Sequence, residues 1–286
     1  MSHPTVPEGS IPPGKIAPIL TAGKWLISLD FDGTLREESG PAVPAAFFEL
    51  MEQLRPHGVL WGINTGRTLP YLLSELLPCS PFLPDFICTC ERYIYLADGT
   101  GSLIPAAEHN AECERINLEL RQRFRPAFHA RLEHIRLKHP HLSWQPAQED
   151  PLSIEAKDSA TMDDLIPLIS DLETTSATIQ RAGRYMRFAD ARFHKGTALR
   201  YVQQRSRIPE KHLFIMGDGH NDIDAFRTFP AAFCAAPANA HPEVADWLKK
   251  NGGHLSPANG VTEAINTWLQ ARVLSTASEV RNEEKA

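Results

Sequence analysis

Long apolar runs are missing from this sequence: nothing in its 286 residues approaches the ~20 consecutive apolar residues that span a bilayer. A basic start followed by an apolar stretch and a small-residue cleavage site is also missing, so no secretory signal is read. Positive charge is not in excess. With 29 Lys and Arg against 35 Asp and Glu, the net charge is -6, which removes the electrostatic case for a nucleic-acid or anionic-membrane partner. Cysteine is sparse and odd in number, five in all, and its irregular spread does not make a disulfide framework. A reducing, cytoplasmic setting is the expectation. Internal repeats and low-complexity tracts are absent too. What remains is ordinary globular composition, 42% hydrophobic and 22% charged, with length for one large domain or two smaller ones.

One stretch organises the rest. Trp25 to Leu29 reads as a buried strand that stops at Asp30-Phe31-Asp32-Gly33-Thr34-Leu35. Phe47, Leu50, Met51 and Leu54 then recur at helical spacing, with Pro44 near the helix start. A second strand, Val59 to Asn64, ends at Thr65-Gly66-Arg67 and is followed by a helix apolar at Leu69, Leu72, Leu73 and Leu76. Asp85 to Cys90 reads as a third strand. Strand alternating with helix is the pattern of a doubly wound parallel sheet.

The pattern changes in the middle of the chain. A hairpin about Asp98-Gly99, a charged helix over 108–139 interrupted near Pro126, two strands, a helix and a hairpin about Gly183 read as an inserted α+β unit. From Lys195 the alternation returns, and a strand ends at Gly217-Asp218-Gly219-His220-Asn221-Asp222. The expected organisation is therefore a proline-rich tail at 1–22, a discontinuous α/β core at 23–89 and 188–274, an insert at 90–187 and a polar tail at 275–286.

Ligands of open α/β sheets bind beyond the carboxyl ends of the strands, and there the strand ends supply the parts of phosphoryl transfer. Asp30 is the candidate nucleophile, able to take a phosphoryl group as an aspartyl-phosphate. Asp32 can protonate a leaving alcohol and then activate water. Thr65, with Gly66 behind it, offers a hydroxyl and backbone N–H to a phosphate, and Lys195 offers a point charge. Asp218 and Asp222 add carboxylates in a glycine-flanked turn, hard oxygens suited to Mg²⁺.

Asp-Phe-Asp-Gly-Thr, Asn-Thr-Gly-Arg, His-Lys-Gly-Thr-Ala-Leu and Gly-Asp-Gly-His-Asn-Asp resemble, in order, the four motifs of the haloacid-dehalogenase-like (HAD) phosphohydrolases. The insert lies between the second and third motifs, as in the subgroup with a C2-type α+β cap that includes Cof-like and sucrose-phosphate or trehalose-phosphate phosphatases. The resemblance implies a Rossmann-like HAD core with that cap. It implies Asp30 as nucleophile and metal ligand, Asp32 as acid/base and backbone-carbonyl ligand, and Thr65, Gly66 and Lys195 as phosphate binders. Asp218 would bind Mg²⁺ directly, and Asn221 and Asp222 would support it. Ala238-Asn239-Ala240 and Asn259-Gly260-Val261 also resemble late segments of the subgroup. Cys90-Glu91-Arg92 departs from it, standing where many relatives carry Asn-Gly. The second Asp favours phosphate-ester chemistry over dehalogenation.

The expected function is Mg²⁺-dependent hydrolysis of a small phosphate ester, a sugar phosphate for preference. A phosphomutase of the same cap class and a non-catalytic sugar-phosphate-binding regulator are the alternatives, and the oligomeric state stays open. In the insert, Arg181, Arg184 and Arg187 are candidate substrate contacts. The arginines of the long helix, Arg115 to Arg136, are interleaved with glutamates and read as a salt-bridged exposed face. Cys88 and Cys90 read as small buried hydrophobes, His139 and His141 as a helix end, and Trp61 and Trp144 as core aromatics.

Overall fold

The structure, a computed structural model, describes residues 23–36, 43–147, 150–257 and 260–269. The segment 1–22, Asn259, the remainder of the core to 274 and the tail 275–286 lie outside the described residues.

In chain order the first half is β1 (Trp25–Leu29), α1 (Ala45–Leu54), β2 (Val59–Asn64), α2 (Leu69–Leu76), β3 (Phe86–Thr89), β4 (Tyr93–Ala97) and β5 (Leu103–Pro105). The middle holds α3 (Ala107–Lys138), β6 (Trp144–Pro146), β7 (Ser153–Ala156), α4 (Ser159–Ile169), β8 (Ala177–Ala182) and β9 (Tyr185–Asp190). The chain then returns through α5 (Lys195–Ser206), β10 (Leu213–Met216), α6 (Asp222–Thr228), β11 (Phe233–Ala236), α7 (Pro242–Asn251) and β12 (His254–Leu255), before a helix over 261–269.

An eight-stranded sheet runs in the order β12-β11-β10-β1-β2-β3-β4-β5. Its six strands from β12 to β3 are parallel. Every residue of β1 and β2 is buried, as expected of a parallel sheet covered on both faces, where strands read as continuous apolar runs. On one face Trp25, Leu29, Phe47, Met51, Trp61 and Trp268 pack together. On the other, Leu26, Leu199, Val202, Phe226 and Leu248 form a second apolar layer.

The hairpin β4-β5, grouped with the insert on sequence, belongs to this sheet. β4 pairs antiparallel with β3 over Phe86↔Leu96 to Thr89↔Tyr93, so the hairpin extends the edge of the large sheet. Sheet membership is a matter of pairing across the fold, which the local turn at Gly99 does not encode.

The inserted layer is a four-stranded antiparallel sheet, β6-β7-β9-β8, with α3 and α4 against it. Its core joins Leu120, Phe124, Phe128, Leu132 and Ile135 of α3 to Ile154, Leu165, Met186 and Phe188. The interruption expected in α3 does not occur: the helix continues through Pro126. The apolar stripe at spacings of three and four is unbroken on both sides, and tertiary packing outweighs the missing N–H. Its outer face is salt-bridged as expected, through Arg115 to Glu112 and Glu119 and through Arg136 to Glu133. Asp158 caps α4 by accepting from the Thr161 N–H at 2.8 Å. Among the described residues, no helix is long and apolar enough to cross a membrane.

Candidate active site

The site forms where β1, β2 and β10 end side by side. In register, Leu29 lies between Ile63 of β2 and Met216 of β10, so Asp30, Thr65 and Asp218 leave the sheet at the same edge. The Asp30 N–H donates to the Met216 carbonyl at 2.9 Å, which extends the pairing by one residue. Asp30 Oδ1 accepts from the Phe31 N–H at 2.7 Å, and Oδ2 lies 2.9 Å from Lys195 Nζ. Both oxygens of the candidate nucleophile are thus oriented.

Beyond Asp30 the chain turns sharply. Gly33 has φ 76°, a left-handed conformation that disfavours side chains. A Cβ there would also stand 2.4 Å from an Asp218 carboxylate oxygen, so glycine is required twice over. Thr34 Oγ1 donates to Asp218 Oδ1 at 2.8 Å, and Asn239 Nδ2 donates to the Gly33 carbonyl at 2.8 Å. Asp32 points to the open side of this turn. Arg67 Nε donates to its Oδ2 at 2.6 Å, and Arg36 stands 3.8 Å from its Oδ1.

Lys195 is the hub. Its ammonium is buried and lies 2.8 Å from Asp222 and 2.9 Å from Asp30. Burial opposes its charge, but Asp222 and Asp30 more than offset this and hold its pKa above the ordinary lysine range. His194 caps α5, accepting from the Gly196 N–H at 3.2 Å, and Asn64 Nδ2 donates to the Lys195 carbonyl at 2.9 Å.

The acids sit in conflict. Asp30, Asp218 and Asp222 can bring oxygens within 4.8 Å of one another. Burial raises all three carboxyls: Asp30 despite Lys195, and Asp222 well above the usual range despite the same ammonium. Burial and then the charge of Asp30 push Asp218 up to about 7. Asn221 Oδ1 is buried nearby with no hydrogen-bond partner. Clustered hard oxygens that repel one another and an acceptor with nothing to accept from fit the Mg²⁺ implied by the family resemblance.

Thr65 differs from expectation in one respect. Its N–H donates to the Cys88 carbonyl at 2.9 Å, so parallel pairing with β3 takes the donor assigned to phosphate. Its hydroxyl accepts from the Arg67 N–H at 3.2 Å. The N–H of Gly66 comes next in the loop, and a Cβ on Gly66 would meet Glu91 Oε1 at 3.4 Å.

Glu91 is the residue the motifs did not disclose. Cys90 and Glu91 both take left-handed conformations, φ 49° and 61°, which turn the chain after β3 and carry Glu91 inward. Its carboxylate accepts from Asn221 Nδ2 at 2.7 Å and lies 2.8 Å from Arg187 of β9, with both side chains buried. Burial alone would raise its pKa, but Arg187 and Lys195 bring the net shift below the usual carboxylate range. Arg187 also donates to Gln180 Oε1 at 2.8 Å.

The three cap arginines do not converge. Arg187 is the internal partner of Glu91, and Arg184 pairs with Glu155 at 2.9 Å on an exposed face. Arg181 bonds to Asp163 and donates to Ser159 Oγ at 2.8 Å.

A Rossmann-like sheet with Asp30, Lys195, Asp218 and Asp222 at its carboxyl edge and an α+β layer inserted after β5 is the fold of HAD-like proteins. The family model described as sucrose-6F-phosphate phosphohydrolase matches residues 23–269, and the chain belongs to that family. Among solved structures it is similar to the sucrose-phosphatase of Synechocystis sp. PCC6803 in complex with sucrose and phosphate, at TM-score 0.64 and 21% identity over 86% of this chain and 98% of that one. It is also similar to the SMU.1108c protein of Streptococcus mutans UA159, at TM-score 0.60 and 16% identity over 87% and 99%. A haloacid dehalogenase-like hydrolase protein of Bacillus subtilis, yhjK, matches at TM-score 0.55 and 13% identity over 88% and 93%. No curated protein sequence matches the chain.

Proposed function

We propose that this chain is a Mg²⁺-dependent phosphomonoester hydrolase, acting through an aspartyl-phosphate on Asp30 with Asp32 as general acid and base. The observation that carries the reading is Lys195, bridging Asp30 and Asp222 at 2.9 and 2.8 Å beside a third acid. A buried ammonium on the nucleophile is positioned to accept a phosphoryl group's charge as well.

In this reading Asp30 Oδ1 or Oδ2 attacks phosphorus, and the P–O bond to the leaving alcohol breaks. Asp32, two residues along and on the open side of the turn, gives its proton to that oxygen. Water then attacks phosphorus as Asp32 takes its proton, the P–O bond to Asp30 breaks, and inorganic phosphate leaves with the Asp30 carboxylate restored. Lys195, the Thr65 hydroxyl and the Gly66 N–H bind the phosphate. Asp30, the Asp32 carbonyl and Asp218 would hold Mg²⁺, supported by Asn221 and Asp222. Bound there, the ion supplies positive charge to the phosphoryl oxygens.

The substrate class is a sugar phosphate. Membership of the sucrose-6F-phosphate phosphohydrolase family supports it, as does the bound sucrose and phosphate of the Synechocystis enzyme. The test is phosphate release from a panel of sugar phosphates and other small monoesters, with and without Mg²⁺, by wild type and Asp30→Asn. Release that needs both the metal and Asp30 is the expected result. Transfer to another hydroxyl without free phosphate would make the protein a mutase, and binding without turnover would make it a regulator.

A further inference from the structure

A second group of metal-binding side chains stands beside the acids, and the reaction above makes no use of it. His220 lies in the loop after β10, and His241 and Glu243 stand at the start of α7. Each can offer one donor atom within 4.8 Å of the other two. The imidazoles pack with ring centroids 3.9 Å apart and planes inclined at 53°. His220 Nε2 touches Glu243 Oε2, and His241 Nδ1 lies 4.0 Å from the same oxygen.

The unused nitrogens are informative. His220 Nδ1 and His241 Nδ1 are both buried without a hydrogen-bond partner, while His220 Nε2 meets the Glu243 carboxylate. The remaining nitrogen, His241 Nε2, has Ser159 Oγ at 3.4 Å. That hydroxyl also accepts from Arg181 at 2.8 Å, and having both a proton and lone pairs it can bond the imidazole as well. Ser159 thus holds the His241 ring through Nε2, and Nδ1 is the nitrogen turned toward Glu243. A histidine fixed at one nitrogen by an oxygen, with the other aimed at a carboxylate and a second imidazole, has the outer-shell arrangement of a metal ligand.

We propose that His220, His241 and Glu243 form a site for a zinc-class transition-metal ion. Two nitrogens and one carboxylate oxygen match the three-ligand zinc sites that keep one position open. The same set discriminates against Mg²⁺, which takes oxygen donors, so the two neighbouring sites select different ions. Glu243, 63% exposed, gives the ion a way in from solvent. All three ligands belong to the core, and the contact of His241 with Ser159 links the site to the inserted layer beside the acids.

The test uses the full chain with Mg²⁺ present throughout. Zn²⁺ is titrated by calorimetry, and Co²⁺ by its visible absorption. The expected result is one saturable site, with d–d bands of an imidazole and carboxylate complex and no thiolate charge-transfer band. Glu243→Gln, at an exposed position that leaves the fold intact by circular dichroism, and His241→Ala abolish it. Ser159→Ala weakens it by about 10- to 100-fold, as removal of an outer-shell partner does, and Asp30→Asn leaves it unchanged. A thiolate band, binding that survives both ligand variants, binding lost in Asp30→Asn, or no saturable binding would each overturn the proposal. In the last case His220 and Glu243 are a hydrogen-bonded pair and nothing more.

Discussion

Lys195 and Asp218 carry opposite lessons about buried charge. Lys195 compensates two carboxylates at once, so Lys195→Ala leaves them facing each other. The expected cost is about 3–5 kcal/mol, the usual penalty for breaking a buried pair, together with loss of phosphatase activity; denaturant unfolding measures the first. Asp218 behaves differently because its carboxyl is pushed up to about 7. A raised acid binds its proton more tightly folded than unfolded, so its contribution to stability falls as pH rises from ~4 to about 7. Without metal, Asp218→Asn should therefore melt higher than wild type near pH 7. The difference should vanish near pH 4, and the variant should gain little stability from added Mg²⁺. A metal-free thermal scan at several pH values checks this, and equal melting of the two proteins at pH 7 would contradict it.

At the scale of elements, the turn after β3 joins the two layers. Glu91 is carried inward by two left-handed residues and meets Arg187 of β9. Glu91→Ala should cost about 3–5 kcal/mol by stranding the Arg187 guanidinium. Glu91→Ala with Arg187→Met should recover part of that loss, and a double-mutant cycle by denaturant unfolding reads the coupling. Cys90→Asn, a residue tolerant of left-handed backbone, should stabilise by up to ~1 kcal/mol. The role of this turn is also not encoded in its local sequence. The departure at Cys90-Glu91-Arg92 was visible, but its meaning depends on Arg187, far away in the chain, and no local spacing carries that pairing. The place of the β4-β5 hairpin and the partner of the Thr65 N–H escape local sequence for the same reason, since strand pairing decides both. The strand-end acids were legible because each motif is a short strand followed by a turn, and local chemistry defines it completely.

For the whole molecule, the inserted layer has an apolar core of its own, with Phe128 and Phe188 at its centre. Phe128→Ala should cost about 3–5 kcal/mol through the cavity it leaves. If the insert reads the leaving group, turnover of a sugar phosphate should fall more than turnover of a minimal aryl phosphate, which asks less of the cap. Steady-state kinetics on both esters separates the effects, and an equal loss on both would count against that role.

The register of β1 against β10 has a further consequence. Asp30 leaves β1 one residue after Leu29, and Asp218 leaves β10 two residues after the partnered Met216. The gap between the two acids is therefore tied to the spacing of neighbouring strands, ~4.8 Å in any sheet. Loop evolution can reshape what is recognised above this edge, yet it has no means of widening the gap itself. The size of ion admitted is inherited from backbone geometry, while the identity of the ester remains free to diverge.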